Sequence, residues 1–526
     1  MSPVDLNLVE LNEPESFPIK KTTQSDGNEA YMQILPGPLI KVWGLNGPLD
    51  SKNREWKGIF YIRPKEEIED FIKQNARSFE IDSNNQKVRG WDEIVIPSNP
   101  ICEDKHKIDI IPISSFVNLL QKGEKKDGSF WKEWYEAKKI IPVQTKSFTN
   151  SEKDMDNKAI DSDQLMFFSV FDGMGGSIFS DMISKTLHGC LALTLSKLKD
   201  KYEHNPIDKD VLTKNLIETY VALQEDFLNA APSALKGLIH RENTSTILPA
   251  LNPSSFLYGA IEGSGCTACS IIIDTQVNKM YIANVGDSRA VAGWWNQKEK
   301  KWRCDVLTED QCGDNPKECQ RRLARHPIEE AGKVIYDRGW GNRVLGTNDV
   351  VRKFGGSYSV RSHEEENEIW NVYQTKQAFN FFPKTTPPYT DTEPTIDIRD
   401  LNSNEEEELK FVILATDGVW ERLTSEEAVL LVAAFKDNAT QGDLSKIALA
   451  EKYPLIPPKE PRLFPVQDLP GTESRSEGSW TFEGDKDAGT HLIRNVLGGS
   501  DKEWRQQVLS LRDSAARQMR DDMTAM

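Results

Sequence analysis

At positions 167–176 the chain reads FFSVFDGMGG: an apolar run, interrupted only by Ser169, that stops at Asp172-Gly173, with glycines following at 175 and 176. A run of β-branched and aromatic residues of this length predicts a buried strand, and the Asp-Gly predicts a tight turn at its end. FVILATDG at 411–418 repeats the pattern. The stretch 267–295, TACSIIIDTQVNKMYIANVGDSRAVAGWW, predicts two β-branched strands joined by a short polar turn, a hairpin. Three segments carry helical spacing instead. RPKEEIEDFIKQNARSF (63–79) opens with Pro64 and acids, and places Ile68, Phe71 and Ile72 on one face. Leu187, Leu191, Leu195 and Leu198 follow soon after the Asp172 turn and predict a strand, a loop, then a helix. SEEAVLLVAAF (425–435) predicts a helix capped by Ser425, with Glu426 and Glu427 in its first turn.

Between these elements lie segments of other character. Residues 1–55, rich in Pro, Asn and Gly, predict an N-terminal extension ahead of one domain spanning 56–526. Insertions are predicted near 120–160 and at 437–487, the latter a loop carrying Pro454, Pro457, Pro458, Pro461, Pro465 and Pro470. NEEEEL at 404–409 predicts a solvated loop.

With 526 residues, 38% apolar and 28% charged, the chain is long enough for a large core. A net charge of −17 argues against nucleic acid or an anionic membrane as partner. No apolar run approaches the roughly 18 residues of a transmembrane segment. The first residues, MSPVDLNLVELNEPESF, contain acids and no arginine, so no secretory signal or mitochondrial transit peptide is visible. Seven cysteines fit a reducing compartment, and Cys266 and Cys269 read as small buried strand residues, since no second CxxC stands at zinc spacing.

Each Asp-Gly alone is ordinary turn chemistry, but the acids accumulate at strand ends. Asp172 and Asp417 each end an apolar run, Asp287 closes MYIANVGD, and Asp521-Asp522 lie in RDDMT. Glu103-Asp104 precede the strand-like KHKIDIIP. Carboxylates gathered with few histidines or cysteines make an oxygen-rich site, suited to Mg²⁺ or Mn²⁺ and unsuited to zinc or copper.

SNPICED, VFDGMGG, GSGCTA, ANVGDSRAV, LATDGVWE and RDDMT, in this order, resemble the successive motifs of the metal-dependent protein phosphatases, the type 2C serine/threonine phosphatases. The 63–81 helix region, LTEDQ with RLARHP, TPPYTDTEPTI and FEGDKDAGTHLIRNVLGG are similar to one branch, the pyruvate dehydrogenase phosphatase catalytic subunits. The resemblance runs from about residue 60 to the end. It implies an α+β fold, a four-layer α-β-β-α sandwich of two antiparallel sheets flanked by helices. Carried over by position, Asp104, Asp172, the carbonyl of Gly173, Asp417 and Asp521 would hold two Mg²⁺ or Mn²⁺ ions. Asp287 and Glu421 would hold a third, weaker one, and Glu103 would orient the attacking water. The implied substrate is a phosphoprotein, with phosphoserine on the E1α subunit of pyruvate dehydrogenase as the branch-level reading. The implied setting is the mitochondrial matrix, and otherwise the cytoplasm.

Four departures qualify the resemblance. Asn99 stands where most of the family has a phosphate-gripping arginine, as it does in the pyruvate dehydrogenase phosphatase branch. Met174 stands at the position of a histidine that protonates the leaving group, and methionine carries no proton. Gly356 replaces an aspartate after Phe-Gly. The family also continues into a further strand after DDMT, so the end at Met526 implies either an unpaired sheet edge or a truncated sequence. Two readings follow: an active phosphatase that is slow on phosphoserine peptides while retaining aryl phosphates, or a catalytically impaired phosphatase-fold binding protein.

Overall fold

The computed structural model describes residues 62–80, 88–98, 101–112, 164–202, 207–239, 262–339, 341–372, 384–401, 406–457, 478–511, 516–517 and 519–526, and the backbone of four strands between 9 and 60. The predicted insertion at 120–160 and residues 458–477 of the second insertion lie outside the described residues.

The strand Gln164–Phe171 explains why its sequence lacks polar alternation. Leu165, Phe167 and Phe171 point to one buried side, and Met166, Phe168 and Val170 to another. Both faces of the sheet are covered, so every position is apolar or satisfied. The strand belongs to a five-stranded antiparallel sheet ordered 395–400, 279–285, 268–274, 164–171, 105–112. A six-stranded antiparallel sheet is ordered 301–306, 289–296, 407–415, 523–525, 90–96, 76–80.

Three cores separate four layers. Helices Ile178–Lys201 and Lys209–Ile239 pack Leu187, Leu191, Leu195, Leu216 and Tyr220 onto the outer face of the five-stranded sheet. Phe168, Ile271, Ile282, Ala292 and Leu414 fill the space between the sheets. The outer face of the six-stranded sheet is covered by helices Lys65–Gln74, Ser425–Asp437, Ala488–Val496 and Lys502–Ser510, through Ile72, Val429, Ile493 and Val508. The α-β-β-α order is that implied by the resemblance. Cys266 and Cys269 are fully buried strand residues with free thiols.

Several local expectations are corrected. The first helix stops at Gln74, and Ala76–Glu80 is a strand paired with Gly90–Ile94. The stretch 267–295 holds three strands, not two: after Ala268–Asp274 and Lys279–Val285 the chain crosses at Gly286–Ser288 into the other sheet as Arg289–Asn296. Thr424, not Ser425, caps the next helix, because Glu427 three residues on completes a reciprocal capping box with it. Of the acidic run, Glu407–Leu409 begin the strand Glu407–Ala415, where Glu407 pairs with Arg303 across the sheet. The 437–487 region is not all loop: strand Gly442–Ser445 pairs with Ser479–Phe482, and helix Lys446–Lys452 lies between them in sequence. The short final strand Met523–Ala525 pairs with Ile94–Ile96 on one side and on the other is in register with the Glu407–Ala415 strand only at Ala415, which leaves the expectation of an open edge standing. Ahead of the sandwich, Val9–Glu10, Ile19–Thr23, Glu29–Leu35 and Trp56–Phe60 form a four-stranded antiparallel sheet.

Candidate metal and catalytic site

Register brings the acids together. Lys105 pairs with Phe171, so Asp104 and Asp172 leave the same end of the five-stranded sheet. Ala268 pairs with Val285, and the Thr267 amide donates to the Asp172 carbonyl at 2.9 Å, which carries the crossing loop with Asp287 to that end. In the other sheet Arg289 pairs with Ala415, and Ala415 with Ala525, so Asp287, Asp417 and the Asp521-Asp522 pair share an end too.

The closest group is Asp172, Asp287 and Asp417, whose carboxylate oxygens lie within 4.8 Å of one another. Among the described residues, Oδ1 of Asp287 and Oδ1 of Asp417 are buried without a hydrogen-bond partner. Burial pushes the Asp172 carboxyl well above its ordinary range, and the charges of Asp417, Asp104 and Asp287 add to the shift. Asp287 is raised in the same way by burial and by Asp417, Asp349 and Asp310. Burial also raises Asp417, against the opposing charge of Arg517. Uncompensated carboxylates this close are what a divalent cation relieves, and the donor set is all oxygen, so the residues present fit Mg²⁺ or Mn²⁺.

The remaining candidates surround this core. Asp104 is buried, and its Oδ2 accepts from Thr416 Oγ1 at 2.7 Å and Thr524 Oγ1 at 2.8 Å. Its carboxyl is pushed up to about 8, by burial first and then by Asp522. Glu421 is pushed up to about 7 by burial and by Asp417. Glu103 is raised by burial, with Arg517 opposing. Asp521 is in an ion pair with Arg517. Asn99 lies outside the described residues.

Both Asp-Gly pairs have a steric reason. A Cβ on Gly173 would sit 2.4 Å from the Glu103 carbonyl oxygen, and one on Gly418 would sit 2.1 Å from that of Asp522. Glycine at each lets one acidic segment lie against another. Met174, half-buried, forms with Gly173 the edge of a small three-stranded sheet with Gly265–Cys266 and Phe354–Gly355.

Sequence reading missed the supports. Asp522 does not face the acidic core alone: it accepts from the Ser98 hydroxyl and the Glu103 amide, each at 2.7 Å. Burial pushes its carboxyl up, but the Ser98 and Glu103 bonds outweigh that and hold it low. Thr416, Thr524, Arg517 and Asp349 also act on the cluster. The Asp521-Asp522 doublet was a visible signal; the others carry none, because their roles depend on which strands pair.

Comparison with known proteins agrees with the geometry. The family model described as Protein phosphatase 2C matches residues 143–451. The mitochondrial [Pyruvate dehydrogenase [acetyl-transferring]]-phosphatase 1 of Saccharomyces cerevisiae is 28% identical over 390 residues, covering 70% of this chain and 62% of that protein. A protein phosphatase 2C homolog of Schizosaccharomyces pombe is 27% identical over 386 residues, covering 70% of this chain and 74% of its own length. The Bos taurus pyruvate dehydrogenase phosphatase 1 is 25% identical over 492 residues, covering 88% of this chain and 82% of that protein. The chain thus spans under two thirds of the yeast relative's length and more of the other two. No described helix is long and apolar enough to cross a membrane.

Proposed function

The chain belongs to the protein phosphatase 2C family, and we propose that it is a Mg²⁺/Mn²⁺-dependent protein phosphatase acting on phosphoserine and phosphothreonine. The observation that carries this reading is the cluster of Asp172, Asp287 and Asp417, with two buried carboxylate oxygens lacking partners among the described residues. Asp104, Asp172, the Gly173 carbonyl, Asp417 and Asp521 are assigned to two ions, and Asp287 and Glu421 to a third, weaker one. Bound ions would acidify water and offset charge on the phosphoryl oxygens. Glu103 is assigned to orienting the attacking water, from its place beside Asp104 at the acidic cluster. Asn99 is assigned to the phosphate. Water attacks phosphorus, the bond to the serine oxygen breaks, and its electron pair leaves on that oxygen.

Titrating Mn²⁺ into wild-type protein and Asp172→Asn, by calorimetry and by phosphate release, tests the assignment. Wild type binds Mn²⁺ and turns over; the variant loses most of both. No Mn²⁺ binding at millimolar concentration in the wild type would falsify the metal assignment.

The finer reading is phosphoserine on pyruvate dehydrogenase E1α, in the mitochondrial matrix, supported by similarity to proteins named for that activity. Faster hydrolysis of generic phosphothreonine peptides than of phosphorylated E1α would remove it.

A further inference from the structure

Serine leaves a phosphate as an alkoxide, which needs a proton as the bond breaks, and residue 174 has none to give. Behind Met174 stands a group that does. Lys353 is 1% exposed, and its Nζ lies 3.6 Å from Met174 Sδ. It donates to Asn348 Oδ1 at 2.7 Å and sits 4.9 Å from the centroid of the Tyr358 ring. Among the described residues no carboxylate is paired with it. The space it fills is the space a side chain at residue 356 would take: a Cβ on Gly356 would be 2.5 Å from both Lys353 Cε and Nζ. An ammonium buried without a counter-ion is costly, and an apolar side chain would fill the same volume without that cost.

We propose that Lys353 is the proton donor to the leaving seryl oxygen, reaching the cleft past the thioether of Met174. This rests on the phosphatase reading above. Lys353 directly precedes the Phe354–Gly355 strand, which is joined through Gly265–Cys266 to Gly173–Met174, next to Asp172. Methionine has three rotatable bonds and swings aside readily, and a lysine stem is long and flexible. As the P–O bond breaks, its electron pair goes to the seryl oxygen, which takes a proton from the ammonium. The products are serine and hydrogen phosphate, and the neutral amine regains a proton from solvent, to which the attacking water loses one. The acidity suits the task. Burial pushes the Lys353 ammonium down to about 8, against the opposing influence of Asp349 and Cys266. Among the described residues, the other titratable group against it is the Tyr358 phenol, which burial holds in its neutral form.

The test compares a phosphoserine peptide with p-nitrophenyl phosphate, whose phenolate leaves without help, using the Mn²⁺-loaded full chain. Lys353→Met lowers the ratio of peptide to aryl rate about 100-fold, the low end of what general acid catalysis supplies. Adding Met174→His to that variant restores the ratio, because imidazole donates from the neighbouring position. Lys353→Arg, which keeps the cation but holds its proton too tightly, lowers the ratio as Lys353→Met does. In wild type the peptide rate falls as pH rises through about 8, and the aryl rate does not follow it. A ratio unmoved by both substitutions overturns the proposal and leaves the phosphatase reading standing. Equal losses on both substrates also overturn it, since they mark a structural or purely electrostatic role. A wild type inactive on both substrates, with Mn²⁺ bound, sinks the phosphatase reading and the proposal with it.

Discussion

Replacing Asp104 by asparagine should stabilise the metal-free protein. Asp104 is 3% exposed, and its carboxyl is raised from 3.8 to about 8, by burial first and then by Asp522. Folding at pH 7 therefore makes this group take up a proton that the unfolded chain has released. At 1.36 kcal/mol per pH unit between 3.8 and 7, the cost is at most about 4 kcal/mol. Asparagine keeps the acceptor oxygen that Thr416 and Thr524 hydrogen-bond, so the substitution removes the group's ionisation and little else. The sign follows from the raised value: the group's favourable contribution is complete below about pH 4 and is lost as pH rises toward 8. Urea unfolding in EDTA at pH 5, 6, 7 and 8 reads the effect. The variant should be more stable throughout, by under about 2 kcal/mol at pH 5 and by up to about 4 at pH 7. With Mn²⁺ at about 100 times its dissociation constant, wild type should gain about 2.7 kcal/mol and the variant much less. A variant less stable than wild type in EDTA at pH 7, or a gap that does not widen with pH, would refute the reasoning.

Gly173→Ala pushes a methyl to within 2.4 Å of the Glu103 carbonyl oxygen. It should cost about 1–3 kcal/mol in urea unfolding and weaken Mn²⁺ binding measured by calorimetry. Phe168→Ala empties part of the core between the sheets and should cost about 3–5 kcal/mol, with little change in Mn²⁺ affinity. Thr424→Ala removes the half of the capping box in which the Glu427 amide donates to Thr424 Oγ1, leaves the Thr424 amide donating to Glu427, and should cost about 0.5–2 kcal/mol, visible as a lower thermal midpoint.

Element existence was legible wherever the local pattern had one physical reading. Eight residues from Gln164 to Phe171 with hardly a polar side chain admit a buried strand and little else, and Leu187 to Leu198 admit a helix. Boundaries failed where a local preference had a non-local competitor. Ala76–Glu80 continues a helical sequence, but the partner strand Gly90–Ile94 claims its backbone hydrogen bonds. The cap was a local miss instead: serine is the better cap as a residue type, but Glu427, three residues after Thr424, was the visible signal that decides for Thr424. The third strand of 267–295 was hidden because both sheets are buried on both faces, so a change of sheet leaves no mark in the alternation.

The acids themselves were determined by the sequence: carboxylates at strand ends, without soft ligands, announce an oxygen-rich site in one dimension. Which of them meet was decided by strand register alone. Lys105 opposite Phe171, Arg289 opposite Ala415 and Ala415 opposite Ala525 join residues far apart in sequence, and no local signal encodes such pairings. The same holds for Lys353. In sequence it is one lysine among many; its burial against Met174 comes from a strand order of 354–355, 265–266 and 173–174 that exists only once the chain has folded. Side-chain chemistry is a property of residues, whereas the neighbours that shift its acidity and aim it are set by tertiary contacts.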